Sequence, residues 1–327
     1  MIDVPEAGSE SARQSLEASG LFESVERDYY AHSGAAPNDP WFKDQWHLGK
    51  IEAPAAWERT TGAPDVVVAV IDSGIDAGHP DLASSLAPGW SFWKGSGDTS
   101  DTLGHGTAVA GTLAAASNNG LGVAGVSWGS RIMPLAVVDP NDFAAYSSIA
   151  AAVQYAADHG ARVINISIGG SSPSSFLQSA IDYAWSKGVV IFASAMNKST
   201  STPYYPAACK HVIAVAATDS ADLPAGFSNY GNWIGISAPG SGILTTMAGG
   251  GYGYWYGTSF SSPIAAGVAA LMLAANPSLT NSELVAILEE TADDLGPPGF
   301  DPAFGWGRVN ADRAVAAAAA AVETANP

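Results

Sequence analysis

From residue 66 onward, short runs of β-branched residues alternate with stretches of helical periodicity, the arrangement of repeated βαβ units. The runs predict strands at Val66 to Ile71, Arg131 to Val138, Arg162 to Ile168, Val189 to Ala193, Val212 to Ala216 and Trp233 to Ser237. Between them the apolar spacing predicts helices at about 105–116, 143–159 and 174–187, a long one at 259–275, and two more near 281–291 and 310–323. A continuous run such as Val66-Val67-Val68-Ala69-Val70-Ile71 suits a central parallel strand covered on both faces. The predicted fold is therefore α/β, a three-layer, doubly wound, mostly parallel sheet, with ligand chemistry expected at the C-terminal ends of its strands.

The first forty residues differ in character. Ser9 to Leu21 has helical spacing, Phe22 to Tyr29 reads as a strand, and Ala31 to Asn38 is rich in small residues, so 1–36 is expected to be an appended segment and 37–327 the main domain. Two Gly-rich stretches, Gly235 to Gly242 and Gly249 to Gly257, precede the long helix, and neither fits a phosphate-binding fingerprint.

Charge narrows the function classes. With 13 Lys+Arg against 31 Asp+Glu the net charge is −18, which opposes binding to nucleic acid or anionic lipid. The 47% hydrophobic content with 13% charged residues describes a packed globule. The single Cys209 excludes a disulfide framework. No apolar run is read as reaching the ~18 residues of a membrane span; the longest candidate is Ala314 to Val322, and the start Met1-Ile2-Asp3-Val4-Pro5 has no signal-peptide pattern.

Three segments each carry a catalytically useful side chain at a Gly-flanked element end: Val70-Ile71-Asp72-Ser73-Gly74, Gly104-His105-Gly106-Thr107 and Gly257-Thr258-Ser259. A serine hydroxyl is a poor nucleophile at neutral pH and needs a positioned base, and the imidazole needs a carboxylate to fix its tautomer. A helix N-terminus beside the serine adds a positive dipole where an oxyanion forms.

Together these segments resemble those of the subtilisin-like serine proteases, with thermitase-type enzymes nearest in layout, over roughly residues 37 to 313. The chain order Asp, His, Ser is that of subtilisin. The resemblance implies that Asp72 orients His105, that His105 is general base and acid, and that Ser259 is the nucleophile. It implies an oxyanion-hole amide from Asn197, just past a buried strand. Where the family commonly has Gly before this Asn, the chain has Met196, which either narrows the pocket for the residue preceding the cut or points away and packs. Ser167-Ile168-Gly169-Gly170 resembles the segment that pairs with an extended peptide. Opposite it, Asn141-Asp142-Phe143-Ala144 replaces a Gly/Ser-rich strand; Phe143 either caps an apolar subsite, with Tyr146 behind it, or packs on the next helix. Phe260 follows the nucleophile where relatives often have an oxidisable Met, which predicts tolerance to peroxide at this position unless Met196 supplies a new weak point.

The same resemblance implies a structural calcium ion held by Asp39, Asp81, Asn119 and the carbonyls of Ala116, Leu121 and Val123; the alternative for Asp81 is a helix cap. A second loop site is not expected, since Ser91, Lys94 and Ser96 stand where acidic ligands are wanted and Asp98 and Asp101 alone do not make one. Phe22 to His32 resembles the end of a propeptide that fills the cleft as a product-like strand, with self-cleavage expected between about residues 30 and 37. Gly125-Val126-Ser127-Trp128-Gly129 matches the nucleophile elbow of α/β-hydrolases, but a strand rather than a helix follows it. Cys209 reads as a small buried residue. Tyr205-Pro206 resembles a turn where relatives carry a cis proline. The expectation is a secreted, monomeric serine endopeptidase acting on protein or peptide substrates. The alternatives are a serine esterase or polyester hydrolase on the same triad, and an impaired subtilase-fold binding protein.

Overall fold

The computed structural model describes residues 36–325, together with Leu16 and Ser19; the predicted propeptide strand and its processing point lie outside the described residues. The chain divides into two units, Met1–Gly34 and Ala35–Pro327. The second unit is built on a seven-stranded sheet, β1 (Val67–Asp72), β2 (Trp90–Ser91), β3 (Arg131–Ala136), β4 (Val163–Ile166), β5 (Val190–Ser194), β6 (Val212–Thr218) and β7 (Ile236–Pro239), in the order β2-β3-β1-β4-β5-β6-β7. Every neighbouring pair is parallel. The order reverses direction at β1, so the crevice at its carboxyl end is a topological switch point.

The apolar runs are continuous because both faces of the sheet are covered. In β1, Val68 and Val70 enter one hydrophobic cluster while Ala69 and Ile71 enter the other. The first cluster holds α3 (His105–Ala114), α6 (Thr258–Ala275) and α8 (Ala311–Ala325), and the second holds α4 (Tyr146–Asp158) and α5 (Ser175–Ser186). Two short helices, α1 (Trp46–Lys50) and α2 (Ala53–Trp57), precede β1, and α7 (Asn281–Glu290) starts on a Thr280/Glu283 capping box.

Three differences from the sequence reading have physical causes. The two Gly-rich stretches enclose an antiparallel hairpin, β8 (Ser241–Met247) and β9 (Gly251–Tyr256), which was read only as punctuation because glycines interrupt its alternation. The two-residue β2 is too short to show any alternation and has no counterpart among the predicted strands. Among the described residues one helix, α6, is long and apolar enough to cross a membrane by length and composition, which corrects the choice of Ala314 to Val322 as the longest candidate. It is the buried central helix of the domain, with 89% of the window inside the fold. Its serines and glycine break the visible apolar run without making it polar.

Candidate active site

β1 ends on Asp72, whose carboxylate is buried, and α3 opens on His105. The glycines around them are steric requirements: a Cβ on Gly106 would stand 2.2 Å from the Gly74 carbonyl oxygen and 3.1 Å from Asp72 Cβ. This close approach lets His105 Nδ1–H donate to Asp72 Oδ1 at 2.8 Å, while the Ser73 backbone N–H donates to the same oxygen at 2.7 Å. With Nδ1 carrying the proton, Nε2 is left as an acceptor. Burial lowers the basicity of His105, but the charge and hydrogen bond of Asp72, with smaller contributions from Asp101 and Asp142, leave its pKa raised above the ordinary value.

Ser259 is the second residue of α6 and is buried at the helix N-terminus. Pro263, four residues on, has no N–H, so the Ser259 carbonyl lacks its helical donor. A side chain supplies one. Ser167 Oγ donates to Ser259 O at 2.9 Å, Asn165 Nδ2 donates to Ser167 Oγ at 3.0 Å, and Ser262 Oγ donates to Asn165 Oδ1 at 2.6 Å. This buried chain locks the start of α6 to the end of β4. Asn165 escaped the sequence reading; its signal is a lone amide inside the apolar strand Val163-Ile164-Asn165-Ile166. Ser259 Oγ donates to the Ser167 carbonyl at 3.3 Å.

Asn197 lies beyond β5, and its Oδ1 accepts both the Thr258 backbone N–H at 2.9 Å and Thr258 Oγ1–H at 3.0 Å. The carbonyl side of the amide is thereby fixed and Nδ2 faces the start of α6, 3.1 Å from where a Gly257 Cβ would be. Asn197 Nδ2 and the N-terminus of α6 are thus on the same side of Gly257.

Asp72, His105, Ser167, Ile168, Gly169, Met196, Phe143 and Tyr146 line one cleft of about 620 Å³. Met196 faces this cleft, with φ of 74° and its sulfur 3.4 Å from the position of a Gly169 Cβ. Phe143 stands at the rim, 73% exposed, on a turn closed by the Asp139 carboxylate, which accepts the Asn141 N–H at 2.9 Å and the Phe143 N–H at 3.1 Å. Tyr146 sits beneath Gly170, its hydroxyl 2.6 Å from where a Cβ there would lie. Gly170 is tied to Tyr205 by a pair of backbone hydrogen bonds of 2.9 and 2.7 Å, next to the cis Tyr205-Pro206 bond.

Away from the cleft, buried Asp39 and Asp81 face the loop 116–123. Asp39 accepts the Asn118 N–H at 2.7 Å, and Asp81 accepts the Val123 N–H at 3.2 Å. Asn119 Nδ2 donates at 2.9 Å to Asp81 Oδ1 and at 3.0 Å to the Ala116 carbonyl, so an amide donor occupies the point where these oxygens converge. Leu121 is exposed, and its N–H donates to Asn119 Oδ1 at 2.8 Å. Burial, opposed by backbone hydrogen bonds and joined by the Asp81 charge, raises the Asp39 pKa. In the loop before His105, the Lys94 ammonium spans Asp98 Oδ2 at 3.0 Å and Ser100 Oγ at 2.7 Å, placing a side-chain cation among the acidic groups there.

The decoys have structural occupations. Ser127 is fully buried, shares a 2.8 Å hydrogen bond with Ser130 and precedes strand β3. Burial pushes the Cys209 thiol up to about 11, away from the thiolate form.

Comparison with known proteins agrees with this geometry. The family model described as the subtilase family matches residues 63–307. A thermophilic serine proteinase of Bacillus sp. (strain AK1) is 39% identical over 307 residues, covering 94% of this chain and 76% of the relative. Thermitase of Thermoactinomyces vulgaris is 40% identical over 280 residues, covering 85% of this chain and 99% of its own. Among solved structures, a protease from Pseudoalteromonas arctica superposes with a TM-score of 0.81 at 35% identity, over 87% of this chain and 100% of the other. A serine placed at the start of a buried helix, a His–Asp pair at the switch point and a family match spanning the whole sheet lead to one conclusion: the chain belongs to the subtilase family and is a serine endopeptidase.

Proposed function

We propose that this subtilase is an exported, calcium-stabilised endopeptidase that cuts extended polypeptide through an acyl-enzyme on Ser259. The observation that carries the reading is the joint one: Asp72 bonded to His105 at 2.8 Å, with Ser259 tied to Ser167 on the same cleft. The substrate pairs as a strand with the backbone of Ser167 to Gly169. In this reading Ser259 Oγ gives up the Ser167 carbonyl and bonds to His105 Nε2 instead. Its oxygen then bonds to the scissile carbonyl carbon while its proton passes to Nε2. Asn197 Nδ2 and the Ser259 N–H hold the resulting oxyanion. His105 returns the proton to the leaving amine as the C–N bond breaks, and a water activated by His105 hydrolyses the ester. Asp72 stays ionised and holds the imidazolium. Because the base must be neutral, activity falls as pH drops through the raised pKa of His105.

The loop site fits a calcium ion: among the described residues, buried Asp39 and Asp81 form no ion pair with a basic side chain, and the Asn119 amide lies between Asp81 and the Ala116 carbonyl, where turning it over would present its oxygen. Asp39, Asp81, Asn119, Ala116, Leu121 and Val123 are the residues that would hold it, and its chemistry there is charge neutralisation and loop cross-linking. In the same reading residues 1–36 are the end of a propeptide, and the mature enzyme is a monomer.

The test is digestion of casein and turnover of a peptide anilide in millimolar calcium by the wild type and by Ser259→Ala. The proposal expects both activities in the wild type and a loss of at least about 10⁴-fold in the variant. Hydrolysis of simple esters without cleavage of any peptide would instead indicate the esterase alternative.

A further inference from the structure

Asp101 lies outside the cleft described above, yet its carboxylate accepts five hydrogen bonds beside the catalytic pair. Oδ1 accepts Ser73 Oγ–H at 2.8 Å and the backbone N–H groups of Leu103 at 3.0 Å and Gly104 at 2.9 Å. Oδ2 accepts the Thr107 N–H at 2.9 Å and Thr107 Oγ1–H at 2.6 Å. Ser73 Oγ in turn accepts the Gly106 N–H at 2.9 Å. These partners bracket the catalytic pair. Ser73 follows Asp72 in the chain, and Gly104, Gly106 and Thr107 surround His105 at the N-terminus of α3. One carboxylate therefore sets the distance between the end of β1 and the start of α3. The turn at Gly74 is shaped for this approach: φ is +116° and a Cβ would stand 2.5 Å from the Thr99 carbonyl.

Building on the protease reading, we propose that Asp101 is a positioning residue for the reaction, acting through Ser73 and the first turn of α3 to hold His105 against Asp72. It works in two ways. Geometrically, five hydrogen bonds to one anion fix the backbone from which the imidazole projects, and charge-assisted bonds of this kind are the stronger class. Electrostatically, it adds a second negative charge behind the ring, favouring the imidazolium that forms during catalysis. Among the described residues the charged groups acting on His105 are Asp72, Asp101 and Asp142; Lys94 is engaged with Asp98. A carboxylate serving only as a cap for α3 would share the contact with the Thr107 N–H, but it would affect folding and leave turnover per folded molecule unchanged.

The experiment measures kcat and KM per active site, titrated with a serine-directed fluorophosphonate, across pH for the wild type, Asp101→Asn and Ser73→Ala. Asp101→Asn is expected to lower kcat about 10- to 100-fold with KM within twofold, because an amide nitrogen opposes the Thr107 donors. It is also expected to move the acid limb of kcat/KM to lower pH, since losing the negative charge makes His105 less basic. Ser73→Ala keeps that charge and is expected to lower kcat several-fold while leaving the acid limb in place; it stands as the test if Asp101→Asn fails to fold. Unchanged kcat per titrated site in either folded variant would overturn the proposal. A wild type that neither labels nor turns over peptide would overturn the protease reading itself, so the two failures are distinguishable.

Discussion

Met196 carries a long side chain at a left-handed backbone angle, φ 74°, which costs a non-glycine residue on the order of 1 kcal/mol. The cost falls where the chain turns from β5 to Asn197, and the side chain lines the cleft beside Gly169. Met196 therefore lines the cleft, and we propose that it narrows the pocket for the residue preceding the cut. Differences of one or a few methylenes in such a pocket are worth about 1–3 kcal/mol. Met196→Gly is therefore expected to raise kcat/KM for a peptide with Phe before the cut, relative to one with Ala, by about tenfold. Equal kcat/KM ratios in the two enzymes would show that Met196 does not line the specificity pocket. Asp72, His105 and Ser259 were legible in the sequence because each stands within two residues of a glycine at the end of an element: Gly74 after Asp72, Gly104 and Gly106 around His105, and Gly257 before Ser259. Asn165 and Asp101 were not, because their importance lies in partners brought together by the fold: Asn165 meets Ser262 across 97 positions, and Asp101 meets Ser73 across 28.

At the scale of elements, the sheet and its long helices were readable because burial on both faces produces unbroken apolar runs, as in β1. The hairpin β8–β9 was hidden by Gly249, Gly250, Gly251 and Gly253. Yet it links two sites. Tyr252 on β9 lies against the Asp39/Asp81 loop, so close that a Cβ on Gly122 would meet its ring at 2.1 Å, and β9 leads directly into Gly257 and Ser259. Burial raises the Tyr252 pKa, and its hydrogen bond to Asp81 and the two carboxylate charges add to the rise. Calcium at this loop is expected to stabilise the fold by about 2.7 kcal/mol when free calcium is 100 times Kd, a rise in Tm of roughly 5–10 °C over chelated protein. Scanning calorimetry with calcium and with chelator measures it, and Asp81→Asn should abolish the difference. An identical Tm for the wild type in both conditions would remove calcium from the account.

For the whole molecule, pH enters stability through a residue far from the chemistry. His47 in α1 is wholly buried, and among the described residues neither ring nitrogen has a hydrogen-bond partner. Burial lowers its pKa from 6.5 to about 3. The unfolded chain therefore binds a proton between these values that the folded chain does not, so its contribution is fully present above pH 6.5 and is lost as pH falls toward 3. One such group adds a slope of at most about 1.4 kcal/mol per pH unit. Denaturant melts of the wild type and His47→Leu from pH 7 to pH 4 should give a shallower decline in the variant; parallel curves would contradict this assignment. The surplus of 31 acidic over 13 basic residues adds carboxylates that titrate further down, at the acid end of the same range.

The central claim is that Ser259 is the residue acylated by substrate. Its most direct test is to treat the purified protein in millimolar calcium with a fluorophosphonate, digest it, and locate the adduct by mass spectrometry. A single adduct on the peptide containing Gly257-Thr258-Ser259, absent in Ser259→Ala and slowed as pH falls below the His105 pKa, is the predicted result. An adduct on another serine such as Ser127, or undiminished labelling of Ser259→Ala, would contradict it.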